Sequence, residues 1–510
     1  MLRASGGRNT LGNGVHDHQA GDGGRGGLSA TLVTGEAGED YLSDYEGDHL
    51  YAAGGGGGAG GRVLLREWGR PPVSLGRFVA PGAGGAVGIC TSYAAAEVIA
   101  GDSIVSSASE VANLSNLRCI SGDLVIRAPG KVDLPKLEVV GGDLIIAGAH
   151  VSGTGHAPTE LALSALTHVV GDLSIVDNAE LTAFTAPKLL RLDGHLAITR
   201  NSLLSQVALG ISKAASVDLI DNAKLQTVDF HSLTSVTGSL VAASNAVLAV
   251  LDIQSLTTVG GDITVIHDNA LADGVVSKLG SVGGRIVVED NAKLQSVEAR
   301  ALVHVGGSIA ITKNASLKTV DVSALQDCVR FDLADNAALA TLAVQHLSAL
   351  SHLRIARNLK LASLSFDALT SATTVSIFGS HKGGHAALGT CSFPVLKTAA
   401  TWFLIHRADY PLIRAPRLAS VGDLGFMDNA QLTQLAFPLL NKVSGKFAAV
   451  YNDRLPACEA LDLRDQVKSG GGISGSVDIV GNLDVCSPNP CGGTLVCTED
   501  CTQAKDYVCK

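Results

Sequence analysis

Gly284-Arg285-Ile286-Val287-Val288-Glu289-Asp290-Asn291-Ala292-Lys293-Leu294-Gln295-Ser296-Val297 is the stretch that decides the fold. It runs on to Leu302, Val305 and Gly306, and the same pattern recurs on both sides of it. A Gly opens each copy. Leu/Ile-x-Ile/Val follows, then two residues, then an Asn, with a Leu three places further on. The Asn positions measure the period: Asn178, Asn201, Asn222, Asn245, Asn269, Asn291, Asn314, Asn336 and Asn358, with successive differences of 23, 21, 23, 24, 22, 23, 22 and 22. After a gap they resume at Asn429 and Asn452, 23 apart. A fixed period of this length marks a solenoid.

Leu173-x-Ile175 alternates with a period of two, which is a strand with one face inward. The Gly before it, at 171, 194, 238, 261, 284 and 307, supplies a turn that a Cβ would obstruct. Each unit is therefore one coil, and its strand pairs in parallel with the coils above and below. The Asn follows the strand at a corner. Its amide can bond the corner backbone and the Asn of the next coil, so a buried Asn ladder is expected. The Asp that precedes an Asn at 177, 221, 268, 290, 335 and 428 fits a corner hydrogen bond better than a catalytic row. Apolar residues are 46% of the chain and aromatics 4%, which suits a thin interior of aliphatic stacks. Coils begin near Leu124, Leu144, Leu173, Leu196, Val217, Leu240, Ile263, Ile286, Ile309, Phe331, Leu353, Val375, Phe403, Leu424, Phe447 and Val477. At about 4.8 Å each, the rod would be on the order of 75 Å long.

The 510 residues carry Lys+Arg 38 against Asp+Glu 48, a net charge of −10 with no basic stripe, which argues against a nucleic-acid partner. No run of 18 apolar residues occurs, and the first residues lack an apolar signal core, so membrane attachment is not encoded in this chain. Residues 1–88 are Gly-rich, without period, and are expected to be disordered. Cys90 and Cys119 flank the cap of the first coil and are expected to pair. Cys328 falls in the slot of Val282 and Val305, and Cys391 in that of Leu364, so both should be unpaired buried thiols. Glu459 to Lys468 reads as an amphipathic helix closing the far end, locked by a Cys458–Cys486 bridge. Clustered cysteines of this kind point to an oxidising compartment, hence an extracellular or cell-surface protein. Of two glycosylation sequons, Asn113 is the open one, because Asn314 belongs to the ladder.

Cys119-Ile120-x-Gly122-Asp123-Leu124-x-Ile126 and Gly142-Asp143-Leu144-x-Ile146 resemble the receptor L domain, the family of the ligand-binding lobes of the insulin and epidermal growth factor receptors and of fungal cell-wall surface proteins. The resemblance covers roughly residues 90 to 486. It implies an all-β fold: a right-handed parallel β-helix, a leucine-rich-repeat-like solenoid of about 16 coils with capped ends, spanning 89–486. The closing pattern Asn452-x-x-Leu455-Pro456-x-Cys458…Gly481-Asn482…Cys486 resembles the end of the same proteins. Cys486-Ser487-Pro488-Asn489-Pro490-Cys491 resembles the opening of an EGF-like module, so 487–510 is a Cys-rich tail in which the connectivity of Cys491, Cys497, Cys501 and Cys509 stays open.

No catalytic, cofactor-binding or metal-ligating constellation is expected. Insertions in a solenoid fall on loops of one face. Two interrupt the period, Gly148 to Pro158 and Gly379 to Gly389, and the coil after the second carries Trp402, Phe403, His406 and Tyr410. A non-enzymatic recognition scaffold for a protein or glycan ligand fits best. The alternatives are a structural wall or matrix component and a polysaccharide-active β-helix enzyme, the last requiring carboxylates that converge at one place.

Overall fold

The computed structural model describes residues 87–148, 157–379 and 389–483, together with the backbone of Leu64–Leu65 and Val73–Ser74. The chain divides into two compact units, Met1–Arg77 and Phe78–Lys510. In the first, Leu64–Leu65 and Val73–Ser74 form an antiparallel pair. The rest of segment 1–86 and the whole tail 487–510 lie outside the described residues.

The second unit is an all-β solenoid. One parallel sheet runs through it from Ser103–Val105 to Val477–Val480. Each of the sixteen coil starts expected from the repeat lies in this sheet, and each is the Cα partner of the next, from Leu124↔Leu144 to Phe447↔Val477. Alternation sets the faces. Ile286 and Val288 are buried while Val287 between them is partly exposed.

Two further parallel stacks complete each coil. In the unit opened by Gly284, Ile286–Glu289 belongs to the main sheet, Ser296–Glu298 to a third sheet and His304–Val305 to a second one. Leu302 closes the turn between the last two by donating its N–H to the Ala299 carbonyl. The corner back to the main sheet is a glycine column. A Cβ on Gly283 would stand 2.2 Å from the Gly260 carbonyl oxygen, and one on Gly306 would stand 2.2 Å from that of Gly283. Side chains are barred because stacked backbones approach too closely there.

The interior is mostly aliphatic over the first coils, as Leu173, Ile175, Leu181, Leu189 and Leu196 illustrate, with Phe184 and Phe230 buried singly among them. It changes toward the far end. Phe366 and Phe393 stack at 5.5 Å, Phe393 meets Phe403 edge-on at 5.3 Å, and Phe403 meets Phe437 at 5.8 Å. The expected purely aliphatic filling is corrected there: few aromatics in the chain does not mean few in the core, because the phenylalanines are concentrated inward.

The ends are closed differently. At the first coil, helix α1 (Ala108–Asn113) carries a Ser107/Glu110 capping box, and Leu114 and Leu117 beyond it are buried. At the other end, α2 (Ala457–Ser469) takes the place of the third strand of its coil. It buries Ala457, Ala460, Leu463 and Val467, one face at helical spacing. Gln466 Nε2 donates to the Phe437 and Leu440 carbonyls, both at 2.8 Å, satisfying backbone of the coil before. Cys90 and Cys119 are disulfide-bonded. Cys458 is a free, part-buried thiol, and its expected partner Cys486 lies outside the described residues. The bridge expected at this end therefore falls outside the described residues, and packing of α2 covers the end of the stack.

Gly283→Ala is expected to destabilise the solenoid by about 1–3 kcal/mol, because the backbone must shift to admit the methyl. Gly280→Ala, whose Cβ would meet the Thr257 carbonyl at an ordinary 3.6 Å, is expected to be nearly neutral. Urea denaturation of the two variants checks both.

Candidate functional site

The corner after each main strand is the most repeated polar site in the molecule. Asn178, Asn201, Asn222, Asn245, Asn291, Asn314, Asn336, Asn429 and Asn452 are fully buried, and Asn358 nearly so. Where the preceding rung is itself an Asn, Oδ1 accepts from its backbone N–H and its Nδ2, as Asn201 does from Asn178 at 3.2 and 3.1 Å. Asn178, the first rung, has no donor to its Oδ1 among the described residues. Each Nδ2 also donates to a strand carbonyl, as Asn291 does to Val265 at 3.0 Å. One side chain thus satisfies a corner N–H, a carbonyl and its neighbour's amide.

Spacing misplaces one rung. Asn269 is exposed, and the buried position in its coil is taken by Asp268. Asp268 Oδ1 accepts from the N–H and Nδ2 of Asn245 at 2.7 and 3.1 Å, and its own N–H donates to Asn291 Oδ1 at 2.9 Å. A carboxyl group shares the shape of an amide, and its Oδ1 meets the acceptor half of the task, so the chain keeps its register without an Asn. The irregular differences of 24 and 22 were the signal, since a rung at 268 makes both 23. Asn482 extends the ladder beyond Asn452, accepting its N–H at 3.2 Å. Ala408 interrupts it, donating its N–H to Asn429 Oδ1 without an amide of its own.

The residue before each rung has left-handed backbone, from Asp177 at φ 58° to Tyr451 at φ 55°. Asp is among the few L-residues that tolerate this region. The recurring Asp177, Asp221, Asp290, Asp335 and Asp428 take that position, which corrects the corner hydrogen bond expected of them. Four of them pair along the surface instead: Asp177 with Arg200, Asp290 with His267, Asp335 with Arg357 and Asp428 with His406.

A second side-chain ladder, missed in the sequence, runs at the glycine corner. Asp102 Oδ1 accepts the N–H of Asp123, Asp123 that of Asp143, Asp143 that of Asp172, and Asp172 that of His195, at 2.7–2.9 Å. The recurrent Gly-Asp dipeptide was its signal. Burial raises the pKa of Asp143, opposed by its hydrogen bond from Asp172.

Triad-type residue types meet at one place on the outer face of the main sheet. Ser216 Oγ bonds His195 Nε2, and His195 Nδ1 stands 4.0 Å from Asp218 Oδ2. That last separation is too long for the hydrogen bond that orients a catalytic imidazole. Ser216 and Asp218 are buried, only 7% and 5% exposed, so a substrate has little access to the hydroxyl.

The insertions at 149–156 and 380–388, with His381 and His385, lie outside the described residues. The coil after the second is placed in full. Phe403 and Tyr410 point inward and are buried. Trp402, Leu404 and His406 point outward. Trp402 Nε1 donates to Ser376 Oγ at 2.8 Å, and His406 meets Phe378 edge-on at 6.2 Å. Phe378, His406 and Met427 are successive Cα partners, so they form one partly exposed column. Arg354, bonded to Asp332 at 2.8 Å, borders this patch.

Cys328 and Cys391 are buried free thiols in the expected slots, Leu364 being the Cα partner of Cys391. Burial pushes the Cys328 thiol up to about 12 and raises that of Cys391 as well. Asn113 ends α1 and is exposed, whereas the amide of Asn314 is engaged inside the ladder.

No family model matches the chain. A cell wall protein, ecm33 of Schizosaccharomyces pombe, is 31% identical over 144 residues. The match covers 23% of this chain and 33% of that protein, so it spans about a third of the relative's length.

Asn291→Ala is expected to cost about 1–3 kcal/mol by leaving corner groups unpaired, whereas Asn269→Ala should change little, as denaturation midpoints will report. In the native protein Cys458 is expected to be alkylated by iodoacetamide long before Cys328 or Cys391, as peptide mass spectrometry will show. Equal rates for the three would contradict their burial.

Proposed function

We propose that residues 87–483 form an extracellular, cell-surface or wall-associated recognition scaffold whose ligand is a glycan. One observation carries the reading: Phe378, Trp402, Leu404, His406 and Met427 gather on the open outer face of the main sheet, in a chain with few aromatics. Planar rings offer flat apolar contact to the carbon–hydrogen faces of sugars. Arg354 beside them, partly exposed, supplies donors for hydroxyls. A flat stack with a 4.7–4.9 Å repeat also presents its side chains as parallel rows, which suits an extended polymer.

The compartment is supported by two facts. The Cys90–Cys119 disulfide belongs to oxidising environments. The relative of similar sequence is a cell wall protein. The resemblance of the Gly-Asp-Leu-x-Ile coils to receptor L domains agrees with recognition rather than catalysis, and the −10 charge does not favour nucleic acid. The same partial match to a wall protein also favours a second reading, in which the stack is a structural wall component and the patch binds another wall protein.

Co-sedimentation with insoluble β-glucan, chitin and mannan separates these readings. Retention on at least one polysaccharide is expected, with Trp402→Ala and Phe378→Ala each weakening it about tenfold, roughly 1.4 kcal/mol. Leu190→Ala, an exposed apolar residue elsewhere on the solenoid, should bind as the parent does. No retention, or retention indifferent to Trp402 and Phe378, would overturn the glycan assignment.

A further inference from the structure

The Asp268 carboxyl is completely buried, and its Oδ2 has no hydrogen-bond partner. Its place in the ladder shows what that atom stands in for. In the coils on either side, the amide Nδ2 donates to the strand carbonyl 26 residues earlier: Asn245 to Leu219 at 2.8 Å, and Asn291 to Val265 at 3.0 Å. Leu219, Ala242 and Val265 are successive Cα partners. Ala242 therefore holds the carbonyl that belongs to rung 268. With Oδ1 already accepting twice from Asn245, Oδ2 occupies the donor position of an amide. An ionised carboxylate has no donor to offer there. A neutral acid has one.

We propose that Asp268 is a proton-operated rung: in the folded solenoid it is carried as the carboxylic acid, its Oδ2–H donating to the Ala242 carbonyl, and loss of that proton weakens the joint between the coils of Asn245 and Asn291.

The surroundings isolate this group. Its ladder neighbours Asn245 and Asn291 are neutral, and the strands against it, Leu240–Ala243, Ile263–Ile266 and Ile286–Glu289, carry Glu289 as their one ionisable side chain. Glu289 is turned outward to Lys313 at 3.2 Å. His267 and Asp290, on the adjoining corners, pair with each other on the surface at 3.2 Å. Asp273 and Lys293 in the following turns are exposed. Desolvation dominates, opposed by the hydrogen bonds from Asn245, and raises the Asp268 carboxyl from 3.8 to about 7.

The sign follows from linkage. Below about pH 4 the group is protonated in both the folded and unfolded chain, and the joint is at full strength. Between 3.8 and about 7 the folded protein keeps a proton that the unfolded chain has lost, so stability falls as pH rises. Above about 7 the folded carboxylate is ionised as well, and the loss levels off. An acidic surrounding thus tightens this part of the solenoid.

Full-chain protein and its Asp268→Asn and Asp268→Ala variants should be denatured with urea across pH 4 to 8. The amide of Asp268→Asn donates at every pH. The folding equilibrium constant of the parent is expected to fall relative to Asp268→Asn by about tenfold per pH unit across the window. Asp268→Ala should be less stable than Asp268→Asn throughout, because the Asn245 N–H and the Ala242 carbonyl both lose their partner. At pH 5.5 the parent should also show the infrared carbonyl band of a protonated acid, absent from Asp268→Asn. Parallel pH profiles for the parent and Asp268→Asn, or no such band in the parent, would overturn the proposal.

Discussion

Every coil must turn a corner after its main strand, and at that corner the backbone has polar groups that the sheet cannot pair. Burying them unpaired costs more than any single apolar contact on the strand returns. An amide side chain resolves this, since it accepts and donates at once and reaches the corners of adjacent coils. Asn fits because it is short and carries both functions on one planar group. The left-handed residue before it, the glycine column at the opposite corner and the inward Leu positions are consequences of stacking identical corners at one spacing. The Asp ladder at the glycine corner solves the acceptor half of the same problem with a carboxylate nearer the surface.

Periodicity made most of this legible. Inward columns were readable because alternation of two fixes which of Ile286, Val287 and Val288 is buried. The slots of Cys328 and Cys391 followed from counting alone. What escaped was local chemistry. Asp268 was passed over because its neighbour Asn269 matches the residue type, although the interval between 245 and 291 divides evenly only at 268. The Asp residues before the rungs looked like hydrogen-bond acceptors, but the backbone there needs a residue tolerant of positive φ, and the side chain is free to pair outside. The concentration of phenylalanine inside the later coils is a matter of sheet face, which composition does not record.

The candidate patch was half legible. The coil of Trp402, Phe403, His406 and Tyr410 stood out by residue type, yet those four divide between two faces. Phe403 and Tyr410 build the interior, and Trp402 and His406 lie on the surface. Only the strand register brings Phe378 and Met427 into the same column as His406. A solenoid of this kind separates the two jobs cleanly: inward positions and corners hold the stack, and outward positions are available for recognition.

The most direct measurement is hydrogen exchange of the Asn side-chain amides in the folded chain, followed by nuclear magnetic resonance with asparagine-selective labelling. The interlocked corner predicts that the Nδ2 protons of Asn201, Asn222 and Asn291 exchange far more slowly than those of exposed Asn269. Exchange of Asn291 as fast as Asn269 would mean that the corners are open to water, and the stacked-corner account would fail.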